Sequence, residues 1–421
     1  MAALLLLGFG SGMPLFLTSK TLQAWMTVEG VDLGTVGRMS LLALPYSLKF
    51  LWAPLLDRYV PPFLGRRRGW LLITQLLLGV LIAAMSLHDP REALFILFVN
   101  AVLIAFMSAT QDIAVDAYGV DVLEEREMGV GASLKVMGYR IALILTGGLA
   151  LVMADRMPWS TVYMLMGLFM LVGIAGTFLA PEPVLREAPP ATLQSAVVEP
   201  WLDFTRRTGP LAPVLLLFIV LYSLSDRLVQ NMANPFLLQQ GYTLTEVGAI
   251  TQALGLAATI VGVVVGGVLV AKLGINRSLW VLAFIQMGSN LAYYLLSLRE
   301  KDLSLLTGAI LVENFSGGLV TAGFVAFLMA MCSRQFSATQ YALLSSFMAF
   351  ARDFVAGFGG DIAKATGWPQ FFLITIAAGI PALLLLPVIA PWTRENPRGA
   401  AAHTGETEDG PPATARAGER G

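Results

Sequence analysis

Long apolar stretches alternate with short clusters of charge, glycine and proline along most of the chain. A helix needs about 20 apolar residues to cross the hydrocarbon layer of a bilayer, and twelve windows of that kind can be drawn. The first six are 3–26, 36–56, 70–87, 94–118, 131–153 and 160–180. The last six are 212–238, 246–271, 278–298, 304–331, 338–363 and 369–391. Between the two sets lies a polar connector, 181–211, rich in Pro, Glu and Arg. After position 391 the chain turns to Gly, Ala, Thr and charge, a composition that predicts a disordered tail. The pattern predicts an all-α polytopic membrane protein with twelve transmembrane helices.

The pattern also repeats. Arg140 in span five is followed seven residues later by Gly147-Gly148, and Arg352 in span eleven seven later by Gly359-Gly360, an offset of 212. Asp57-Arg58 and Ala271-Lys272 end spans two and eight, 214 apart. Two echoes at nearly one offset predict two pseudo-symmetric six-helix halves. These are 1–180 and 212–391, with 181–211 as a cytoplasmic connector and 392–421 as a cytoplasmic tail.

Composition agrees: 56% of the 421 residues are hydrophobic and 13% charged, against about 25% charged in a soluble domain. A net charge of −1 gives no field that would draw nucleic acid. One cysteine, Cys332, excludes an internal disulfide framework. With only His88, in a short loop, and His403, in the tail, there is neither a metal-ligand cluster nor a nucleophile with its base. No catalytic residue, metal or cofactor is therefore expected. The first apolar run has no basic region before it, so it reads as a first span and not a signal peptide.

Loop charge sets the orientation. One side holds Arg58, Arg66, Arg67, Arg68, Arg126, Arg186, Arg206, Arg207, Lys272, Arg277, Arg334, Arg394, Arg398, Arg416 and Arg420. The other holds Arg91, Arg156, Arg299, Lys301 and Lys364, so both termini are expected in the cytoplasm. The loop 119–130 is acidic, with Asp121, Glu124, Glu125 and Glu127, which weighs little in this rule.

Charge inside the spans carries the chemistry. Span four contains SATQDIAVD, 108–116, in which Asp112 and Asp116 share a helix face with Ser108 and Gln111 nearby. A carboxylate facing lipid costs about 2.5–3.5 kcal/mol on the most lenient scale, so both must face protein or water. They are either structural carboxylates bridged to cations or part of a substrate or proton pathway. Other intramembrane charges are Lys20, Lys49, Lys135, Arg140, Asp226, Arg227, Glu313, Arg352 and Asp353, with Arg38 and Asp361 near span ends. Spans three, six, nine and twelve have none in their interiors. Those four should face lipid and the other eight should surround a polar cavity. In span one, Gly8, Gly10, Gly12 and Pro14 permit either close helix approach or bending.

Every third helix free of charge resembles the major facilitator superfamily. There the first helix of each three-helix unit lines the cavity and the second lines the seam. The inner-loop signature of that superfamily, D-R-x-G-R-R, is matched in part by Asp57-Arg58, then YVPPFL, then Gly65-Arg66-Arg67-Arg68. Asp57 at a helix end can accept hydrogen bonds and pair with Arg, latching the halves on the cytoplasmic side. The basic run could instead only anchor the chain to anionic lipid. Longer strings are similar to the AmpG-type muropeptide permeases: LTSKTLQAWM (17–26), KFLWAPLLDRY (49–59), GRRRGWLLITQLLL (65–78), SATQDIAVDAY (108–118), VENFSGG (312–318) and SATQYALLSS (337–346).

The resemblance implies a monomeric carrier in the bacterial inner membrane. It would import anhydromuropeptides (GlcNAc-anhydroMurNAc peptides) from periplasm to cytoplasm with protons, feeding wall recycling and the signal for β-lactamase induction. Sugars call for aromatic faces and amides, carboxylates for cations. Candidate cargo residues are Lys20, Gln23, Trp25, Tyr46, Gln111, Tyr139, Arg140, Tyr222, Asn314 and Arg352. Arg140 and Arg352 either clasp two cargo carboxylates or neutralise acids, Arg140 with Asp112 or Asp116 and Arg352 with Glu313. Candidate proton carriers are Asp112, Asp116, Glu313 and Asp226, and candidate gate residues are Asp57, Arg58, Gly65, Arg66, Arg67 and Arg68. Carriage of another large anionic solute, or sensing of wall fragments without transport, would fit the same charges.

Overall fold

The computed structural model describes residues 1–31, 39–183, 190, 192–243, 246–247, 250–356 and 359–392. It describes their side chains except at 40, 41, 125, 193, 252, 253 and 350–356. Arg38, most of the expected tail and the Arg352 side chain lie outside these.

Span one is two helices, α1 (Ala2–Leu17) and α2 (Lys20–Val28). At the joint the Thr18 and Ser19 hydroxyls donate to the carbonyls of Pro14 (3.0 Å) and Leu15 (2.6 Å), offering the backbone a partner other than the next turn. Span two is fragmented: a 3-10 turn (Met39–Ala43), α3 (Leu44–Leu48), a second 3-10 turn (Lys49–Leu51) and α4 (Ala53–Arg58). Pro45 and Pro54 sit in the first turns of α3 and α4, where a missing N–H costs nothing.

The first half continues with α5 (Gly65–Ala84), α6 (Leu94–Val122) and α7 (Met128–Ile144). A π turn over Leu145–Leu149, holding the Gly147-Gly148 pair, leads into α8 (Ala150–Ala154), and α9 (Trp159–Leu179) ends the half. The connector carries a helix that its polar composition did not predict, α10 (Leu193–Thr208).

In the second half α11 spans Ala212–Gln239 and α12 Leu256–Ser297, after a π turn at Ile250–Gly255. Helix α12 contains both expected spans eight and nine. They meet at Gly274 (φ 77°, ψ 165°), a conformation that suits glycine, and not through a loop. Then follow α13 (Leu303–Met331), α14 (Ser337–Ala356), α15 (Gly359–Thr366), α16 (Trp368–Ala377) and α17 (Ile380–Ile389). Among the described residues nine helical stretches are long and apolar enough to cross a membrane, one of them carrying two expected spans. Span two, being broken, is not among the nine, and neither is span eleven.

Helix α1 packs between α7 and α9, and α5 lies against α6 and α9. In the second half α12 packs along α13, and α11 along α14. The halves meet along two lines. On one, α14 crosses α3, α4 and α6; on the other, α12 and α13 cross α7. Spans two, four and five of the first half therefore meet spans eight, ten and eleven of the second along the seam. At the α7–α12 crossing the Ser133 hydroxyl donates to the Val263 carbonyl (2.8 Å) and lies 1.8 Å from where a Cβ on Gly267 would stand. The charge-free spans present large exposed apolar side chains, such as Val80, Leu171, Phe284 and Leu384, as a lipid-facing surface requires.

Candidate functional site: a polar cavity, a lysine–aspartate knot and a latch

A cavity of about 430 Å³ opens between the halves, from the middle of α11 toward its far end. The first half lends it Lys20 and Arg140, both basic. The second half lends Asp226, Arg227, Gln230 and Asn234 from α11, Tyr293 from α12, and Glu313 and Asn314 from α13. Asp226 accepts from Gln230 Nε2 (2.8 Å) and Gln286 Nε2 (2.9 Å), and Arg227 donates to Gln230 Oε1 (3.0 Å). Asn314 donates to the Ile310 carbonyl (2.9 Å) and accepts from Thr259 (3.2 Å), which fixes its amide on the wall. Glu313 accepts from the Tyr293 hydroxyl (2.6 Å). The lining is amide, hydroxyl and charge of both signs, which can hold a large polar solute by hydrogen bonds from opposite sides.

A second polar group lies outside that lining, at the seam. Asp116 pairs with Lys49 of span two (3.3 Å) and with Lys135 of α7, whose ammonium also stands 5.4 Å from the Tyr341 ring of α14. Asp112 accepts from the Ser11 hydroxyl. Both acids thus face protein, but their partners are lysines and a serine and not Arg140, which turns to the cavity. Trp52 ties the same region to α6 by donating to Thr110 (3.0 Å).

The third group closes the basic-loop end. Arg67, fully buried, donates to Asp57 (2.8 Å), Asp121 (2.6 Å) and, across the seam, the Ser337 hydroxyl (2.6 Å). Asp57 in turn accepts from the backbone N–H of Thr339 (2.8 Å) and its hydroxyl (2.7 Å). A carboxylate of the first half therefore caps the N-terminus of α14 in the second, where the helix dipole favours negative charge. Arg66 reaches the Arg334 carbonyl (3.4 Å) and Arg334 the Leu123 carbonyl (3.1 Å). Arg67 is thus not a lipid anchor. Arg68 donates to the Thr177 carbonyl (3.0 Å) within its own half, and Arg58 lies over the Tyr59 ring (5.6 Å). Gly65 (φ 81°) leaves room for the Glu182 carboxylate, which accepts from the N–H groups of Arg67 (3.0 Å) and Arg68 (3.1 Å).

Of the expected cargo residues, Lys20, Arg140 and Asn314 line the cavity; of the expected proton carriers, Asp226 and Glu313 do. Trp25 is buried, stacked on Trp159 (5.9 Å) and tilted against Tyr163 (5.0 Å). Tyr222 is buried against Phe324 (5.0 Å) and donates to the Leu279 carbonyl (2.9 Å). Gln111 is fully buried, its amide facing Gly10 of α1. All three lie outside the cavity lining, on faces turned inward against neighbouring helices. Gln23, Tyr46 and Tyr139 are half-buried away from the lining, and the Arg352 side chain is outside the described residues. Asp121, which had read as an acidic loop residue, is buried in the last turn of α6. Sequence reasoning missed Tyr293, Gln230, Asn234, Thr339 and Glu182. It saw the charge of Lys49 without a partner, and read Lys135 only as a cation for Asp112 or Asp116 and Arg227 only as compensation for Asp226.

A helical bundle with a polar cavity between two halves, interlocked at one end, defines a membrane transporter. The family model of the Major Facilitator Superfamily matches residues 3–360. The chain is 48% identical over 389 residues to the anhydromuropeptide permease of Escherichia coli (strain K12), covering 92% of this chain and 79% of that one. It is 37% identical over 399 residues to an uncharacterised protein of Haemophilus influenzae, covering 92% and 94%. Among solved structures, the human organic anion transporter MFSD10 (TETRAN) superposes with a TM-score of 0.67 at 16% identity, over 91% of this chain and 97% of that one, a likeness of fold alone. The chain belongs to the Major Facilitator Superfamily and, within it, to the AmpG-type muropeptide permeases.

Proposed function

We propose that this protein imports anhydromuropeptides from the periplasm to the cytoplasm across the bacterial inner membrane, by proton symport and alternating access, for cell-wall recycling. The observation that carries the reading is the cavity: Lys20 and Arg140 on one half, acids, amides and Arg227 on the other, and none of the latch residues in its lining. A disaccharide-peptide offers carboxylates to Lys20 and Arg140 and hydroxyl and amide groups to Gln230, Asn234 and Asn314. In this arrangement the cavity takes cargo from the outer side while Asp57, Arg67 and the α14 N-terminus hold the cytoplasmic side shut. Opening inward requires those bonds to break, and cargo and proton supply the differential binding that favours the switch. The identity to the Escherichia coli permease supports the cargo. Both termini lie in the cytoplasm in this reading, and the carrier works as a monomer.

The test is uptake of labelled anhydromuropeptide by permease-deficient cells expressing this chain. Saturable uptake abolished by a proton uncoupler is expected. No uptake under any gradient sinks the cargo assignment.

A further inference from the structure

Four acids are candidates for the transported proton, and the structure gives them different company. Asp116 touches two ammonium groups, those of Lys49 and Lys135, so both of its oxygens are already taken up by cations. Asp112, beside it on α6, takes the Ser11 hydroxyl and lies outside the cavity lining. Asp226 lies in the cavity but accepts two amide N–H bonds and has Arg227 adjoining it in sequence. Glu313 differs from all three. It lies in the cavity wall, is 7% exposed, and its hydrogen bond comes from a neutral phenol. Among the described residues no cation stands within ion-pair distance of it. A buried acid with one neutral donor changes protonation at far lower cost than one locked between ammonium groups.

The phenol is itself held. The Tyr293 ring is 2% exposed, stacked on Phe372 (5.5 Å) and edge-on to Phe236 (6.3 Å), so packing aims its hydroxyl from α12 at α13. Tyr293 of α12 and Asp226 of α11 are the titratable groups that act on Glu313, and Arg227 of α11, Arg140 of α7 and Lys20 of α2 line the same cavity. Arg352 belongs to α14, with its side chain outside the described residues.

We propose that Glu313 takes up the transported proton and that Tyr293 positions it, an inference that rests on the proton-symport reading above. A proton from the outer solution binds one carboxylate oxygen of Glu313, crosses as the neutral acid and returns to water on the cytoplasmic side. No other bond forms or breaks. The Tyr293 O–H holds one carboxylate oxygen of Glu313 and leaves the other for the proton.

The experiment uses the full chain in liposomes with labelled anhydromuropeptide, read in two modes: counterflow at equal pH, and accumulation driven by an inward pH gradient. Glu313→Gln should lower driven accumulation at least tenfold more than it lowers counterflow. Tyr293→Phe should raise the pH of half-maximal driven uptake by about one unit, the size expected for one hydrogen bond to a charged group. Gradient-driven accumulation that survives Glu313→Gln overturns the proposal, as does an unchanged pH profile for Tyr293→Phe. If Glu313→Gln abolishes both modes alike, the Tyr293→Phe profile decides in the same way. Wild-type chain that exchanges cargo but ignores the pH gradient overturns the symport reading itself.

Discussion

Arg67 shows how much one side chain can hold. Its guanidinium meets two buried carboxylates, Asp57 and Asp121, and a serine of the opposite half. Breaking a buried pair by removing one partner costs about 3–5 kcal/mol, because the other charge is left in a dry site. Arg67→Ala strands two carboxylates, so the melting temperature in detergent should fall well below wild type. Arg67→Lys should recover only part of the loss, because an ammonium lacks the planar fork that reaches both acids. A melting curve unchanged in Arg67→Ala would show that the latch contributes nothing to the fold. Asp57 and the arginines stood out in sequence through a partial match to the superfamily's inner-loop signature, with lipid anchoring as the other reading of the basic run. The fate of Trp25 and Tyr222 was not. Their types suit sugar contact, but which way each points depends on how neighbouring helices turn, and that is set by contacts distant in sequence.

At the level of helices, α1 and α7 cross with backbone against backbone. A Cβ on Gly138 would stand 2.0 Å from the Leu5 carbonyl oxygen, and one on Gly8 would stand 2.1 Å from that of Lys135. Both obstacles are backbone, so no side-chain rearrangement relieves them. The glycines of span one therefore serve close approach. Gly138→Ala should cost about 1–3 kcal/mol or more through overpacking and lower the yield of folded protein, as read by size-exclusion chromatography and thermal melting. A neutral result would show that the helices separate freely. Most helices were legible as apolar windows, but the breaks in span two were not, since averaging over a window smooths across Pro45 and Pro54. Helix α10 was hidden for a different reason. It buries little beyond Phe204 and Ala196, and its cap is Thr192 with Ser195 where a Glu or Gln would have signalled a start.

For the whole molecule, the distribution of charge among spans carried the most information. Charge-free spans three, six, nine and twelve marked the outside, and what remained had to enclose water or protein. That logic locates a cavity without saying which end is closed. The contacts that interlock that end use Ser337 and Thr339, which sequence singled out only as part of the string 337–346 and which meet Asp57 and Arg67 where α14 begins.

The connection between the halves has a consequence for inheritance. Glu182, at the end of the first half, is already fastened to the start of α5. Beyond it, α10 bears on α4 of the first half. It also joins the second through Gln340, which donates to Asp203 (2.8 Å) and the Pro200 carbonyl (2.9 Å). With the seam, these contacts hold the halves together without help from the peptide link between them. A chain cut after Pro183 and expressed as two polypeptides should reassemble, co-purify and restore uptake; fragments that fail to co-purify would disprove this. One carrier could then be encoded by two genes.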